Sequence, residues 1–580
     1  MLTLFDRPPF AVLAPTASSR RRSAYLLLSK QQRLLYILLI AARVSVGLLD
    51  LLLAGSLYLL FLVLQGIVPN NQLWWQPQSV LQVSLVAGSL VVIRSLADAL
   101  STGSLLNFVQ NIYKDLLQRL TQGYSEVRWE TFVQLNRSDL LNHTTYTARE
   151  ASQFYLRGIE LMSAQIVVLV MAVAVVAKSP TGAVGLACTL ASFYALHRFF
   201  IRDRVHIAAA IREQSFGALQ CVLSDMFSSG KEIRIYRNHS FFQAQIREHA
   251  DAVSTESVRL SLLPQLARIL SDQGVLLIFL GLLVAVQLQQ GDVRRLLAII
   301  VFYFVLSRRM LPLTSQISFL AGQIDGSYEN VRLVSAELDG CSRQRNTQVQ
   351  CGSPGPDTVL ELEDVSFGFE EEVQILRNIS FRQRHGETVI LHGVSGSGKS
   401  SLLNIIAGLL QPTGGAVRVD RTRIAYVPQD TVLLDASMRT NLLFGLEGKS
   451  DKDLMRALTL AQLDTFLSAQ PDGLDTRVGD NGILFSGGQR QRLGIARALV
   501  RGGTLLLLDE ATSALDEENE LQVLKNLEEE GLAVLLVTHR KYVRFSAQRV
   551  FNLEGCRLVE QMSPQAETPE PSSETILNMV

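Results

Sequence analysis

Six long apolar runs punctuate the first 320 residues, at about 34–68, 79–96, 161–177, 182–200, 270–288 and 296–313. Most approach the roughly 20 residues a helix needs to cross about 30 Å of hydrocarbon. The first is long enough to tilt or to end in an interfacial segment. Buried soluble helices would account for one or two such runs, but six predict an all-α membrane domain. The polar segments 115–155 and 202–262 between spans are too long for turns, and they are expected to continue the spans as helices outside the bilayer. From residue 357 the pattern changes to short apolar strands alternating with helical periodicity, the mark of an α/β layer. The expected divisions are a disordered leader (1–19), a six-helix membrane domain (20–340), a Gly- and Pro-containing linker (341–356), an α/β domain (357–562) and a disordered tail (563–580) rich in Pro, Glu and Ser.

Charge adds direction. The chain has 54 basic and 54 acidic residues, and its 19% charged content falls below the roughly 25% of soluble domains. With 48% hydrophobic residues, a disordered chain and a wholly cytosolic enzyme are both excluded. The balance hides an asymmetry: residues 1–350 hold 32 Lys/Arg and 22 Asp/Glu, and the remainder holds 22 and 32. Arg20, Arg21, Arg22, Lys30 and Arg33 precede the first span, and the two long polar segments are rich in Arg and Lys. The opposite loops are short and poor in positive charge, and the first carries Trp74 and Trp75, suited to an interface. This distribution predicts a multi-pass protein of a cell (inner or plasma) membrane, with its N-terminus and α/β domain in the cytoplasm. The net-acidic second half offers no basic patch for nucleic acid. Five widely spaced cysteines form no metal or disulfide pattern and are expected to be reduced thiols.

The chemistry lies in the second half. Residues 393–400 (GVSGSGKS) follow the apolar strand 388–391 and precede a helical run. A phosphate loop needs this order: a strand, then a glycine-rich turn exposing backbone N–H groups, then a helix N-terminus. Gly393, Gly396 and Gly398 let the backbone approach phosphates, Lys399 reaches the outer ones, and the Ser400 hydroxyl suits Mg²⁺. The apolar run 504–508 delivers Asp509 and Glu510 at its carboxyl end, where α/β sheets bind ligands. Asp509 is expected to hold Mg²⁺ through water, and Glu510 to orient and deprotonate the attacking water. Phe485, Ser486, Gly487, Gly488 and Gln489 open another helical run. They read either as a plain helix cap or as a second anion site, and two anion sites in one domain imply that two copies face each other across two nucleotides.

Residues 357–560 resemble the nucleotide-binding domain of an ATP-binding-cassette (ABC) transporter, and 20–340 resemble its exporter-type six-helix membrane domain. The resemblance implies an α/β P-loop cassette that binds ATP and Mg²⁺ and hydrolyses ATP to drive transport. Gly393–Ser400 matches Walker A, so Ser395, Ser397 and Ser401 join its glycines, Lys399 and Ser400 as ATP-binding positions. Asp509 ends Walker B, and Glu510 matches the catalytic glutamate. Phe485–Gln489 matches the signature that meets the partner's ATP, with Phe in place of the usual Leu. Gln429 resembles the Q-loop glutamine that touches Mg²⁺, Ser513 and Asp516 fall in the D-loop, and His539 matches the switch histidine. Phe369 stands where the family stacks an aromatic on adenine, and Asp480 where a Glu is common before the signature. Between Gln411 and Tyr426 the chain is shorter than many exporters. Glu510 and His539 are both present, so a homodimer with two competent sites is the simplest assembly, with a heterodimer as the alternative. Arg128–Leu135 and Arg237–Phe242 are the expected coupling segments, through Trp129, Phe132, Phe241 and Phe242.

The expected cargo follows from charges inside the spans, where each is costly and usually functional. Arg43, Arg94, Arg308 and Arg309 fall at similar depth in the inner half of the bilayer. Arg43 with Asp50 and Arg94 with Asp98 are possible local pairs. A cationic girdle there would suit an anionic lipid headgroup, whereas interhelix pairing or snorkelling is the plainer explanation. Residues 309–312 (RMLP) with 230–236 (GKEIRIY) resemble the branch that includes lipid-linked oligosaccharide flippases; export of peptides or small hydrophobic drugs is the alternative. A channel would share this architecture without needing two hydrolytic sites.

Overall fold

The computed structural model describes residues 27–64, 79–178, 203–288, 293–345, 352–370, 373–540, 542–543 and 547–561. The leader, the tail, residues 346–351 of the linker and the expected span 182–200 lie outside the described residues, as does Trp74-Trp75. The chain divides into two compact units, one of Met1–Glu126 and Leu135–Arg343, the other of Val127–Gln134 and Gln344–Val580.

The described part of the first unit is helical: α1 (Lys30–Leu64), α2 (Val80–Glu126), α4 (Arg137–Asn142), α5 (Ala148–Lys178), α6 (Asp203–Ser228), α7 (Gly230–Tyr236), α8 (His239–Leu288) and α9 (Val293–Arg343). A π-helical turn, His143–Thr147, joins α4 to α5. Among the described residues, three stretches are long and apolar enough to cross a membrane: Lys30–Leu64, Val80–Glu126 and Arg137–Val176. The expected fifth and sixth runs lie within α8 and α9. At 1.5 Å per residue, α2, α8 and α9 are each about 70–75 Å long, well beyond a bilayer's hydrocarbon. Helix α2 shows what happens at the transition. Its first half exposes Leu81, Leu85, Val92 and Leu96, while its second half buries Leu105, Phe108, Ile112, Leu116 and Leu120 at three- and four-residue spacing. Apolar side chains face outward where lipid can cover them and inward where water would otherwise meet them. Gly47 on α1 is required by close packing, since a Cβ there would lie 2.3 Å from Val167 Cγ2.

The second unit is built on two sheets. β1 (Thr358–Glu370) pairs antiparallel with β2 (Val373–Arg384) and β4 (Gly414–Val419). The larger sheet runs β5-β6-β7-β3-β8-β9. In it β5 (Ile424–Val427), β6 (Leu505–Asp509), β7 (Ala533–Val537), β3 (Thr388–His392) and β8 (Arg549–Glu554) are parallel, and β9 (Arg557–Gln561) is antiparallel. β3, β6 and β7 are buried at every position, which is why their sequences are unbroken apolar runs rather than alternating ones. The short stretch after Gln411 still forms both a strand of the small sheet (β4) and one of the large sheet (β5). Helix α3 (Trp129–Gln134) belongs to this unit. Arg128 N–H donates to Gln344 O at 2.9 Å, and Trp129 packs against the core that contains Leu360, Leu402 and Leu535. Of the two expected coupling segments, this one therefore groups with the cassette. Arg237–Phe242 stays in the first unit, with Phe241 exposed and edge-on to Phe242.

Candidate nucleotide site

Strand order gathers the site. Because β5, β6, β7 and β3 are parallel neighbours, their carboxyl ends share one edge of the sheet. Gln429 follows β5 by two residues, Asp509 ends β6 with Glu510 next in the chain, His539 follows β7 by two, and the 393–398 turn follows β3. That edge is where α/β sheets bind ligands.

The turn 393–398 leads into α10 (Lys399–Ala407). Gly398 has φ +102° and sits where a Cβ would lie 2.7 Å from Ile375 Cγ2; Gly393 has φ +154° and would press on Leu553 O at 2.8 Å. Only glycine fits these two positions. The first N–H groups of α10 have no intrahelical carbonyl and point at the turn. Lys399 Nζ donates to Gly393 O (2.8 Å) and Val394 O (2.9 Å), and burial lowers its pKa. Its ammonium thus sits in the turn with neutral partners. Ser395 and Gly396 are exposed at the tip, Ser401 lies on the first turn of α10, and Ser397 Oγ is buried with no hydrogen-bond partner among the described residues.

Two carboxylates face this cradle. Asp509 is buried, with Oδ1 3.5 Å from Ser400 Oγ and Oδ2 3.4 Å from Tyr426 Oη. Burial pushes its pKa up. Burial, then the Asp509 charge, also pushes up the Tyr426 phenol, which stays a donor. Glu510 has φ +49°, a backbone region that costs a non-glycine residue free energy and recurs at functional sites. Its Oε1 lies 2.8 Å from His539 Nε2, and its Oε2 accepts from Gln429 Nε2 at 3.0 Å. Of the three expected metal positions, Ser400 and Asp509 meet, while the Gln429 amide turns to Glu510. The orphaned Ser397 hydroxyl, the Lys399 ammonium bonded only to backbone carbonyls and the Ser400–Asp509 pair fit a triphosphate with a hard divalent cation.

The other expected residues take distinct places. Phe369 is exposed and edge-on to Phe367 at 5.0 Å. Phe485 is buried against Phe466, so its side chain belongs to the core and only Ser486–Gln489 open outward. Ser486 caps α14 (Gly487–Arg501) in a reciprocal capping box: Ser486 Oγ accepts from Gln489 N–H, and Gln489 Oε1 accepts from Ser486 N–H. Asp480 starts a short 3-10 turn, 480–482. Asp516 caps α15 (Glu517–Glu529), and the hydrogen bond from Asn519 N–H lowers its pKa. Gln491 of α14 brackets the D-loop, donating to Ser513 Oγ (3.0 Å) and accepting from Ala514 N–H (2.8 Å). Sequence reading missed Gln491, Tyr426, Glu520 and Arg540; the only signal was that Arg540 directly follows His539.

The intramembrane arginines correct one expectation. Arg43 pairs with Asp98 at 2.9 Å and Arg94 with Asp50 at 2.8 Å, across α1 and α2, while the expected Arg94–Asp98 contact along α2 is also made. Arg94 is also 4.0 Å from Asp98. The adjacent helix offers each arginine a carboxylate at equal depth, so Arg43 takes Asp98 in place of the expected Asp50. The side chains of Arg308 and Arg309 lie outside the described residues.

A phosphate-binding turn at the edge of a parallel sheet, answered by an Asp-Glu pair, a glutamine and a histidine, defines a P-loop nucleotide-binding domain. Residues 376–513 match the ABC transporter family model. The heterocyst differentiation ATP-binding protein HepA of Nostoc is 33% identical over 281 residues, 46% of each chain. The ATP-dependent lipid A-core flippase of Burkholderia pseudomallei is 41% identical over 221 residues, 35% of this chain and 37% of that one. The multidrug resistance ABC transporter of Lactococcus lactis is 38% identical over 210 residues, 34% and 36% of the two chains. These matches span less than half the length of each relative. The structure of a bacterial Atm1-family ABC exporter with ATP bound superposes with TM-score 0.70 at 20% identity, covering 95% of this chain and 96% of that one. The cassette thus carries the ABC transporter family match, and the chain as a whole has the fold of an ABC exporter half-transporter.

Proposed function

We propose that this chain is an ATP-driven exporter or flippase that hydrolyses ATP between two cassettes, in a homodimer or with a second half-transporter, and moves cargo across the membrane. The observation that carries the reading is the convergence of Lys399, Ser400, Asp509, Glu510, Gln429 and His539 on one sheet edge. Lys399 exchanges its two backbone carbonyls for the outer phosphate oxygens. Glu510 accepts the proton of the attacking water at a carboxylate oxygen. His539 and Gln429 hold that carboxylate in place, and His539 Nε2–H is free to follow it toward the γ-phosphate. Ser400, Asp509 and Gln429 would hold Mg²⁺, which neutralises phosphate charge when bound. Ser486–Gln489 present helix N–H groups for the nucleotide of the opposing cassette. ATP drives the change of access because it binds the closed pair better than the open one.

An anionic lipid-linked substrate, an oligosaccharide lipid in particular, is the first cargo reading, supported by the inner-half arginines and by the flippase among the relatives. The crosswise pairs favour a second reading. Asp50 and Asp98 already neutralise Arg43 and Arg94, leaving a neutral patch better matched to peptides or small hydrophobic drugs. Full-length protein in liposomes, assayed for ATP hydrolysis and translocation with polyprenyl-pyrophosphate glycans, phospholipids, peptides and drugs, decides between them. Glu510→Gln is expected to cut hydrolysis by about 100-fold or more while ATP still binds. Undiminished turnover in that variant would overturn the site assignment.

A further inference from the structure

We infer that Arg540 is a positioning residue for ATP hydrolysis: it ties the His539 loop to the turn that Glu510 begins, and so sets the His539–Glu510 contact. The inference rests on the proposed role of that pair. Arg540 Nη1 donates to Leu515 O (2.7 Å), and Nη2 donates to Ser513 O (2.6 Å). Both carbonyls lie in the turn after Glu510, whose own carbonyl accepts from Ser513 N–H at 3.0 Å. The planar guanidinium therefore spans two points of one turn, while its backbone adjoins the histidine that meets Glu510.

The anchor beneath is Glu520 on α15, a fully buried carboxylate. Its Oε1 accepts from Thr512 Oγ1 at 2.6 Å, within the same turn. Its Oε2 accepts from Arg540 Nη1 (2.7 Å) and from Tyr542 Oη (2.6 Å), both on the His539 loop. Thus each oxygen of Glu520 holds one loop, and Arg540 cross-links the two above it. Burial and the Glu520 charge push the Tyr542 phenol up to about 12, so it remains a donor. A buried carboxylate is stable only when its lone pairs are met, and here all the partners come from the two loops that carry the proposed catalytic pair. Glu510 itself sits in a strained left-handed backbone, so the turn needs external restraint to hold its place. Of the common cations only arginine offers a fork that reaches both carbonyls and the carboxylate at once.

The test uses the full-length protein in liposomes with Arg540→Lys, Arg540→Gln and Tyr542→Phe. Arg540→Lys keeps a cation opposite Glu520 but loses the fork, so it should fold even if Arg540→Gln does not. It is expected to lower kcat by about tenfold or more, since small misplacements of reacting groups have effects of this size. KM for ATP and the melting temperature should stay near wild type, and amide hydrogen exchange across residues 511–515 should rise. Tyr542→Phe should lower kcat only about twofold. Wild-type kcat in Arg540→Lys overturns the inference, as does a parallel loss of kcat, ATP affinity and melting temperature, which marks a structural role. Full activity in Glu510→Gln overturns instead the reading of the site on which the inference depends.

Discussion

The half-buried arginines of the membrane unit and the buried lysine of the cassette are satisfied in opposite ways. In the membrane unit, Arg43 and Arg94 each meet an aspartate across the α1–α2 seam, and the group of four is neutral. In the cassette, Lys399 lies in a turn with two carbonyls as partners, while Asp509 and Glu510 are engaged by Ser400, Tyr426, Gln429 and His539. A cation whose charge is met by a carboxylate has less left for a ligand, and Arg43 keeps only a buried Nε without a hydrogen-bond partner among the described residues. A cation held by neutral carbonyls keeps its charge available and loses nothing when phosphate replaces them. This difference, rather than the presence of basic residues, separates a binding site from a structural pair.

Removing each cation should therefore have opposite kinds of consequence. Lys399→Ala is expected to leave folding intact and to lower ATP affinity and hydrolysis together, with kcat/KM falling about 10³-fold. Nucleotide titration and an ATPase assay on the same preparation check it. Retained affinity would place the phosphates elsewhere.

Arg94→Ala should instead damage the fold, because it removes the guanidinium 2.8 Å from Asp50 in the membrane unit, at a cost of about 3 kcal/mol. The double change Arg94→Gln with Asp50→Asn should recover most of that loss, which thermal unfolding in detergent would show. If the doubly neutral protein is stable but loses cargo-stimulated hydrolysis, the arginine serves cargo after all and the contrast between the units breaks.

The same contrast explains what could be read in advance. The phosphate turn was legible because its requirements are local: glycines, a lysine and a serine within eight residues between a strand and a helix. Asp509-Glu510 was legible because an unbroken apolar run delivers it to a sheet edge. The Arg43–Asp98 and Arg94–Asp50 pairs were not, because helix periodicity ranks neighbours along a helix and is silent about register between helices. Glu520 looked like one of several acids opening α15, and only the fold shows it fully buried beneath Arg540. Phe485 read as part of an anion-binding opening but faces the core, at the end of a turn closed by its N–H on Gly482 O.

Asp509 sharpens the cassette side. Burial holds its carboxyl above the ordinary carboxylate range, with Ser400 and Tyr426 pulling the other way. The folded chain thus retains a proton that the unfolded chain has released. Between the ordinary value and the raised one, stability falls as pH rises. Asp509→Asn should remove that slope and raise the melting temperature at neutral pH without nucleotide, by the equivalent of about 1 kcal/mol. It should also abolish Mg²⁺-dependent hydrolysis. A variant less stable than wild type at neutral pH would show that its hydrogen bonds outweigh the cost of burying the charge.

The smallest effect gives the cleanest comparison, because it sets two reciprocal capping boxes against each other. Ser450 caps α12 (Asp451–Leu460) in a reciprocal box with Asp453, just as Ser486 caps α14 with Gln489. Only the second lies in the segment expected to meet the opposing cassette. Losing either hydroxyl should cost about 1 kcal/mol of stability, the usual worth of a serine N-cap. Ser450→Ala should stop there, with ATP hydrolysis unchanged. Ser486→Ala should add a fall in kcat that stability cannot explain, because its hydroxyl proton and the N–H groups beside it are offered outward to phosphate. Equal losses of stability with equal, unaltered hydrolysis would reduce the 485–489 opening to an ordinary helix cap and remove the argument for a nucleotide shared between two cassettes.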